Sequence, residues 1–218
     1  MFDDERRQVA AAARRLADAG LVHGTAGNVS ARAGEHVAIT PTGAVLGHVA
    51  PSDVCVVDLA GAVVDGTLAP TSEADMHLGI YERYGAGAVV HTHAPVATAL
   101  ACVLEDELPC VHYEMLLLGG TVRIAPYATF GTPELAASAV EALEGRTAAL
   151  LASHGTIAYG ADLDAALRAT ELLEWAAGVY WRAASIGTPR VLDEAARQAV
   201  VDAAVARGYG TVRPLEER

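Results

Sequence analysis

Residues 89–95 read VVHTHAP and combine a short apolar run, two histidines one residue apart and a proline. The run AGAVVH at residues 86–91 predicts a buried strand, and Pro95 is typical of the first turn of a helix. Side chains at positions i and i+2 of a strand point to the same face, so we expect His91 and His93 to project together. The stretch therefore predicts a buried strand that ends in two imidazoles on one side of a sheet.

Short apolar runs and helical patterns surround this strand and predict the rest of the fold. Further strands are predicted at residues 26–32, 36–40 and 121–127, and two hairpins are predicted at 54–66 and 147–160. Helices are predicted at residues 3–19, 72–84, 95–104, 132–145, 162–185 and 193–207, and Ser72 is the predicted N-cap of the second. The runs are short and often joined as hairpins, and no regular βαβ alternation is present, which favours a mostly antiparallel sheet. We therefore expect a single α/β domain of residues 1–218, with a mostly antiparallel central sheet covered by helices on both faces.

The composition excludes several classes of protein. The 218 residues are 52% hydrophobic and 19% charged, which excludes a disordered chain, and the formal net charge of −12 argues against nucleic acid or an anionic membrane as a partner. A small phosphorylated ligand remains possible, because backbone N–H groups can hold an anion without basic side chains. Three cysteines without metal-site spacing, no signal peptide and no run of about 20 apolar residues predict a cytoplasmic protein.

A third histidine resembles the first two in its context. His154, in LLASHGTI, also follows a buried apolar run and precedes a glycine. Neutral imidazole is the commonest metal ligand, and three histidines with one open position are the ligand set of many catalytic zinc sites. The alternative is that His91, His93 and His154 are separate polar residues at strand ends, each bonded to backbone carbonyls.

The helix that begins near TSEAD carries a second set of polar groups. Thr71 and Ser72 place hydroxyl and N–H groups at a helix N-terminus, where anions are attracted. Glu73 either stabilises the helix dipole or acts as a general base beside a metal, and the residues alone leave both readings open. His77, one turn after Glu73, is interpreted as a helix-surface or packing residue.

Together these motifs resemble a known superfamily. AGNVS, TPTG, TSEADMH, VVHTHAP, PYATFGT and SHG occur in that order between about residues 21 and 186. They resemble the class II aldolases of the fuculose-1-phosphate aldolase, ribulose-5-phosphate 4-epimerase and adducin-head superfamily. HYEMLLLGG and IAPYATFGT look closest to the fuculose-1-phosphate aldolase branch.

The resemblance implies roles for individual residues. His91, His93 and His154 match zinc ligands, and Glu73 matches an acid–base carboxylate that also contacts the metal when substrate is absent. The loops that hold the substrate phosphate match Gly27, Asn28, Thr42, Gly43, Thr71 and Ser72, with Thr42 and Thr71 standing where serine is frequent. The matched cleft residues are Tyr113, Phe130 and Tyr209, and the two tyrosines are the further catalytic candidates.

The resemblance also implies an activity and an assembly. The expected reaction is zinc-dependent retro-aldol cleavage of a ketose 1-phosphate, such as fuculose 1-phosphate, to dihydroxyacetone phosphate and an aldehyde. Zinc would act as a Lewis acid, and no Schiff-base lysine is needed; the sequence contains no lysine. The family usually forms homotetramers with active sites at subunit interfaces.

Three alternatives stay open within this superfamily. A ribulose-5-phosphate 4-epimerase is one, because Glu114 lies near the position of an acid–base aspartate in that branch. A methylthioribulose-1-phosphate dehydratase is another, since it uses the same metal and phosphate apparatus. A non-catalytic binding module like the adducin head is the third, although it would lack the histidines and Glu73.

Overall fold

The structure is a computed structural model, and it describes residues 2–208. Nine strands form one sheet within the described chain: β1 (Asn28–Ala33), β2 (His36–Ile39), β3 (Cys55–Asp58), β4 (Val63–Asp65), β5 (Ala88–Thr92), β6 (Glu107–Leu108), β7 (Val122–Ala125), β8 (Ala148–Leu151) and β9 (Gly155–Gly160). The helices are α1 (Asp3–Asp18), α2 (Ala74–Tyr84), α3 (Pro95–Ala101), α4 (Pro133–Ala142), α5 (Leu163–Ile186) and α6 (Glu194–Arg207). Three short 3-10 helices in this part of the chain span Leu46–His48, Pro51–Asp53 and Tyr113–Leu118.

The sheet is mostly antiparallel, as the sequence predicts. Its strand order is β4-β3-β2-β1-β5-β9-β8-β7-β6, and β7 pairs with β8 in parallel while the other neighbouring pairs are antiparallel. β5, which carries the first histidine, lies at the centre between β1 and β9. A central strand is buried on both faces, which explains the apolar run of Ala88, Val89 and Val90 before His91.

Helices cover both faces of the sheet, as expected. Buried residues of α1, α3 and α5 pack with Val90 on one face, and buried residues of α2 and α4 pack with Val89 on the other. Because side chains alternate along a strand, His91 projects on the same side as Val89, towards α2. The histidine of the central strand and the start of α2 are therefore on one side of the sheet.

Some predicted boundaries are wrong. The helix predicted from residue 72 begins at Ala74, with Glu73 as its N-cap residue, and Ser72 is not a cap. The strand predicted at 121–127 ends at Ala125, and the helices predicted to residues 104 and 145 end at Ala101 and Ala142. Strand β6 and the 3-10 helices were not predicted, because segments this short carry no periodic pattern.

Among the described residues, we find no helix that is both long enough and apolar enough to cross a lipid bilayer.

Candidate metal centre and active site

The neighbouring histidines His91 and His93 meet a third, His154, which is distant in sequence, at one end of the central strands. One ring nitrogen from each of His91, His93 and His154 lies within 4.8 Å of the others. The three ring centroids are 4.8–5.0 Å apart, and the rings meet edge to face. The structure therefore brings together the three histidines that the sequence singles out, in an arrangement that could hold a metal ion.

The backbone at the β8–β9 turn makes this convergence possible. Ser153, directly before His154, has a φ of 52°, a left-handed conformation that residues other than glycine rarely adopt. A β-carbon on Gly155, directly after His154, would lie 2.3 Å from the carbonyl oxygen of Thr92 and 2.9 Å from a ring carbon of His93. The strained turn and the missing side chain let His154 approach the end of β5.

A backbone hydrogen bond sets the tautomer of His91. Its Nδ1 lies 2.7 Å from the carbonyl oxygen of Thr156, which can only accept, so Nδ1 carries the proton. Its Nε2 then carries a lone pair, and this atom lies 3.2 Å from Nε2 of His93 and 3.2 Å from Oε2 of Glu73. A histidine fixed in this way through its other ring nitrogen is typical of metal ligands.

Glu73 completes a set of four donor groups. It is 7% exposed, and its Oε1 lies 3.4 Å from Nε2 of His154 but is buried without a hydrogen-bond partner in the described chain. A buried carboxylate oxygen without a partner is costly, and here it lies beside a ring nitrogen of His154. A divalent cation among these atoms would satisfy the unpartnered oxygen, so the residues fit a metal site.

The protonation states also suit a metal. Burial and the neighbouring His91 lower the pKa of His93 and of His154 to about 4. Burial alone would raise the pKa of Glu73, but His91, the hydrogen bond from Asn28 and His154 hold it below its ordinary value. Neutral imidazoles and an ionised carboxylate are the forms that bind metal ions.

A cavity of about 420 Å³ opens over this centre. All six residues matched to phosphate-binding loops line it, together with Glu73, His93 and His154. These six are Gly27, Asn28, Thr42, Gly43, Thr71 and Ser72. Gly27 has a φ of 86°, and a β-carbon there would lie 2.9 Å from the carbonyl oxygen of His91, so this loop needs glycine to approach β5.

Aromatic side chains lie at the rim of the same cavity. Tyr127 and Phe130 line it and are 68% and 67% exposed. The motif PYATFGT pointed to Phe130, whereas Tyr127 was not singled out in the sequence, although it stands in the same motif. Two large exposed aromatic groups beside a polar floor could contact the apolar part of a ligand.

Tyr113, one of the two remaining catalytic candidates, is not brought to this cavity. Tyr113 begins the 3-10 helix Tyr113–Leu118 and lines a separate cavity of about 430 Å³ between that helix and α6, as does Glu114. The ring of Tyr113 packs on that of His112, with centroids 4.5 Å apart. Tyr209 lies outside the described residues.

Of the two readings of His77, helix-surface or packing residue, the structure excludes the surface one. His77 is fully buried and contacts the side chains of Asn28 and Ser30, and burial lowers its pKa to about 3. The missed signal is the spacing of Glu73, His77 and Tyr81, which places three polar side chains on one line along α2. A sequence pattern gives the spacing but does not say which side of the helix faces the sheet.

Similarity to known proteins agrees with this geometry. Residues 7–181 match the family described as Class II Aldolase and Adducin N-terminal domain. The chain is 46% identical over 183 residues to a 5-methylthioribulose-1-phosphate/5-deoxyribulose-1-phosphate aldolase of Rhodospirillum rubrum, covering 83% of this chain and 82% of that protein. It is 41% identical over 197 residues to a 5-deoxy-D-ribulose 1-phosphate aldolase of Bacillus thuringiensis, covering 89% and 92%.

A solved structure extends the similarity to the fold. An L-fuculose 1-phosphate aldolase superposes with a TM-score of 0.88 at 37% identity, covering 92% of this chain and 95% of the other. The family match to residues 7–181 spans the sheet, the histidine cluster and the cavity loops. The chain therefore belongs to the class II aldolase and adducin N-terminal domain family, and like its aldolase relatives it is an enzyme of the lyase class.

Proposed function

We propose that the protein is a zinc-dependent aldolase that cleaves a ketose 1-phosphate to dihydroxyacetone phosphate and an aldehyde. One observation carries the proposal: three imidazoles and a buried carboxylate with an unpartnered oxygen converge at the floor of a cavity lined by small polar loops. The similar proteins described above are named as aldolases of sugar phosphates of this kind.

The ligands of the metal would be His91, His93, His154 and Glu73. Nitrogen and carboxylate donors in a set of four are the preferred ligands of zinc. When bound there, the cation supplies Lewis-acid polarisation of the substrate carbonyl. A Schiff-base route would need a lysine, and the sequence contains none.

The phosphate would be held by neutral groups rather than by basic side chains. No lysine or arginine lines the cavity among residues 2–208. The backbone N–H groups of Gly27, Gly43 and Ser72 make no hydrogen bond within the described chain, and the hydroxyl groups of Thr42 and Thr71 lie beside them. Donors from three loops can fix a dianion in one orientation over the metal-binding floor, even in a protein of net charge −12.

Glu73 is the proposed acid–base group. Cleavage breaks the bond between C3 and C4, the C4 hydroxyl loses its proton, and C3 of the departing dihydroxyacetone phosphate gains one. The Glu73 carboxyl group would transfer the proton at C3, since it lies at the cavity floor beside the histidines. Tyr113 or Tyr209 from a neighbouring subunit would serve the aldehyde oxygen.

The aldehyde half is proposed to be short and partly apolar. Tyr127, Ala128 and Phe130 form an apolar side of the cavity rim, which suits a methyl or methylthio group better than a chain of hydroxyls. The two relatives named above act on 5-deoxyribulose 1-phosphate, and one of them also on 5-methylthioribulose 1-phosphate. Fuculose 1-phosphate is the second candidate, favoured by the high structural similarity to the fuculose 1-phosphate aldolase.

We further propose a single-domain homotetramer that works in the cytoplasm. An interface site is supported by the position of Tyr113, which lies in a different cavity from the histidines of its own chain. One sheet uses strands from Asn28 to Gly160, which supports a single domain. Cys55, Cys102 and Cys110 are free thiols in the structure, which suits a reducing compartment.

The decisive test is product formation from a panel of sugar phosphates. Zinc-loaded protein is incubated with 5-deoxyribulose, 5-methylthioribulose, fuculose and ribulose 1-phosphates, and dihydroxyacetone phosphate is detected with a coupled dehydrogenase. We expect release from at least one of these, and none from a His93→Ala variant. No release from any of them, with epimer formed from ribulose 5-phosphate or water lost from methylthioribulose 1-phosphate, would replace the aldolase by one of its alternatives.

A further inference from the structure

Two rows of polar side chains face each other beneath the cavity floor. Glu73, His77 and Tyr81 recur at every fourth position from the N-cap along α2, so they lie on one line of the helix. Asn28 and Ser30 are two residues apart on β1 and point to the same face. All five are between 0% and 7% exposed, so their polar atoms depend on one another for hydrogen bonds.

The two rows are joined into one continuous chain of hydrogen bonds. Asn28 Nδ2 lies 2.8 Å from Oε2 of Glu73, and Asn28 Oδ1 lies 2.5 Å from Nε2 of His77. Nδ1 of His77 lies 2.7 Å from Oγ of Ser30, which in turn lies 2.7 Å from the hydroxyl of Tyr81. The chain thus runs from the candidate acid–base carboxylate into the core.

The direction of every hydrogen bond in this chain follows from its carboxylate end. An ionised carboxylate only accepts, so the Asn28 amide must present its NH₂ group to Glu73 and its oxygen to His77. Nε2 of His77 must then carry the proton, and Nδ1 must accept one from Ser30. The Ser30 hydroxyl is left to accept from Tyr81.

We propose that His77 is a positioning residue, whose neutral Nε2–H tautomer locks the Asn28 amide in the orientation that donates to Glu73. The inference rests on the proposed function of Glu73 as metal ligand and acid–base group. Without the Nε2–H donor, the Asn28 oxygen would be buried without this partner, and the amide could turn to place that oxygen against the carboxylate. Glu73 would then lose its hydrogen bond from Asn28 and the orientation towards His91 and His154.

The tautomer is tested first, on metal-free protein, so that the result does not depend on the activity. Nitrogen-15 NMR of selectively labelled histidine reports which ring nitrogen of His77 carries a proton. We expect a neutral ring protonated at Nε2, with a slowly exchanging N–H, from pH 7 down to pH 6. A ring protonated at Nδ1, or a charged ring at pH 7, would overturn the proposal.

The consequence for Glu73 is tested with three variants. His77→Phe removes the donor, His77→Gln restores one N–H at a similar reach, and Thr170→Val deletes an unrelated buried hydrogen bond, from the Thr170 hydroxyl to the Ala166 carbonyl on α5. Losing a hydrogen bond to a charged group, or a partner behind a metal ligand, is typically a ten- to hundredfold effect. We expect His77→Phe to weaken zinc binding and to lower kcat by about that factor with a smaller change in KM. His77→Gln should recover at least part of the zinc affinity and of kcat, and Thr170→Val should change neither quantity.

The outcomes separate the positioning role from the proposed activity. Zinc affinity is measured by competition with a chromophoric chelator, so it can be read even if no sugar phosphate is cleaved. Wild-type zinc affinity in His77→Phe, or an equal loss in Thr170→Val, would overturn the positioning role. If His77→Phe does not fold, the tautomer measurement and the zinc affinity of His77→Gln decide: an affinity near wild type supports the role, and a fall as large as that of a Glu73→Ala variant overturns it. Absence of aldolase activity in the wild type would overturn the proposed function alone.

Discussion

Replacing Glu73 by glutamine separates metal binding from proton transfer. Glutamine has nearly the same shape, and its oxygen can still accept from Asn28 Nδ2, which lies 2.8 Å from Oε2 of Glu73. Its NH₂ group would occupy the place of Oε1, 3.4 Å from the ring nitrogen of His154, so the fold has no reason to change. The three imidazoles remain, and we expect zinc to bind with reduced affinity but still in a ratio of one per chain.

The same change removes the group that exchanges the proton at the reacting carbon. General acid–base catalysis by one positioned side chain is typically worth about 10²- to 10⁴-fold in rate, so we expect kcat to fall by that factor. Asp75→Asn is the matched control, because it removes one carboxylate from an exposed position two residues away. Turnover is measured as dihydroxyacetone phosphate release at saturating zinc, with metal content determined on the same samples. Wild-type turnover in Glu73→Gln, or an equal loss in Asp75→Asn, would refute the assignment.

Three further predictions follow from the site and its surroundings. Gly155→Ala should lower the free energy of unfolding by about 1–3 kcal/mol, because its β-carbon would lie 2.3 Å from a carbonyl oxygen of β5; an unchanged urea midpoint would contradict this. Glu174→Gln should lower the free energy of unfolding by about 1–2 kcal/mol, because both oxygens of the Glu174 carboxylate accept from N–H groups at the start of α3, at 3.0 and 2.8 Å, and glutamine keeps only one acceptor. A thermal melt that does not shift would refute this prediction. The metal-free protein should lose stability as the pH falls from about 6.5 towards 4, because His77, His93 and His154 have folded pKa values of about 3, 4 and 4 against 6.5 and so bind fewer protons when folded. Urea unfolding at several pH values checks this, and a stability that is constant or rises on acidification would count against it.

The sequence predicted the central part of the fold better than its edges. The strand ending in His91, the strands that flank it and the long helix α5 are encoded by apolar runs of clear period, which local residues determine. The start of α2 was placed two residues too early, because Ser72 is a common N-cap residue while Glu73 takes the cap position without a side-chain hydrogen bond. Glu73 at this cap lies beside His91 and His154, a long-range contact that the local cap preference does not reveal.

The sequence predicted those site residues that are related by a regular spacing or a similar local context, and it did not predict the features that depend on tertiary packing. His91 and His93 are paired by the period of a strand, and His154 was found by its similar context. Their common distance of less than 4.8 Å comes from the strained turn at Ser153 and the missing side chain of Gly155, which no spacing reveals. A helical histidine such as His77 can face solvent or the sheet, and the contact that decides between them is with a strand about 50 residues earlier in the chain.

Zinc titration of the metal-free protein tests the central claim most directly. Isothermal calorimetry is used with the wild type and with separate His91→Ala, His93→Ala and His154→Ala variants, each checked for folding by circular dichroism. The account predicts one zinc per chain in the wild type and at least a hundredfold weaker binding in each folded variant, since every change removes one of four donor groups. Absence of stoichiometric zinc in the wild type, or undiminished affinity in a folded variant, would contradict it.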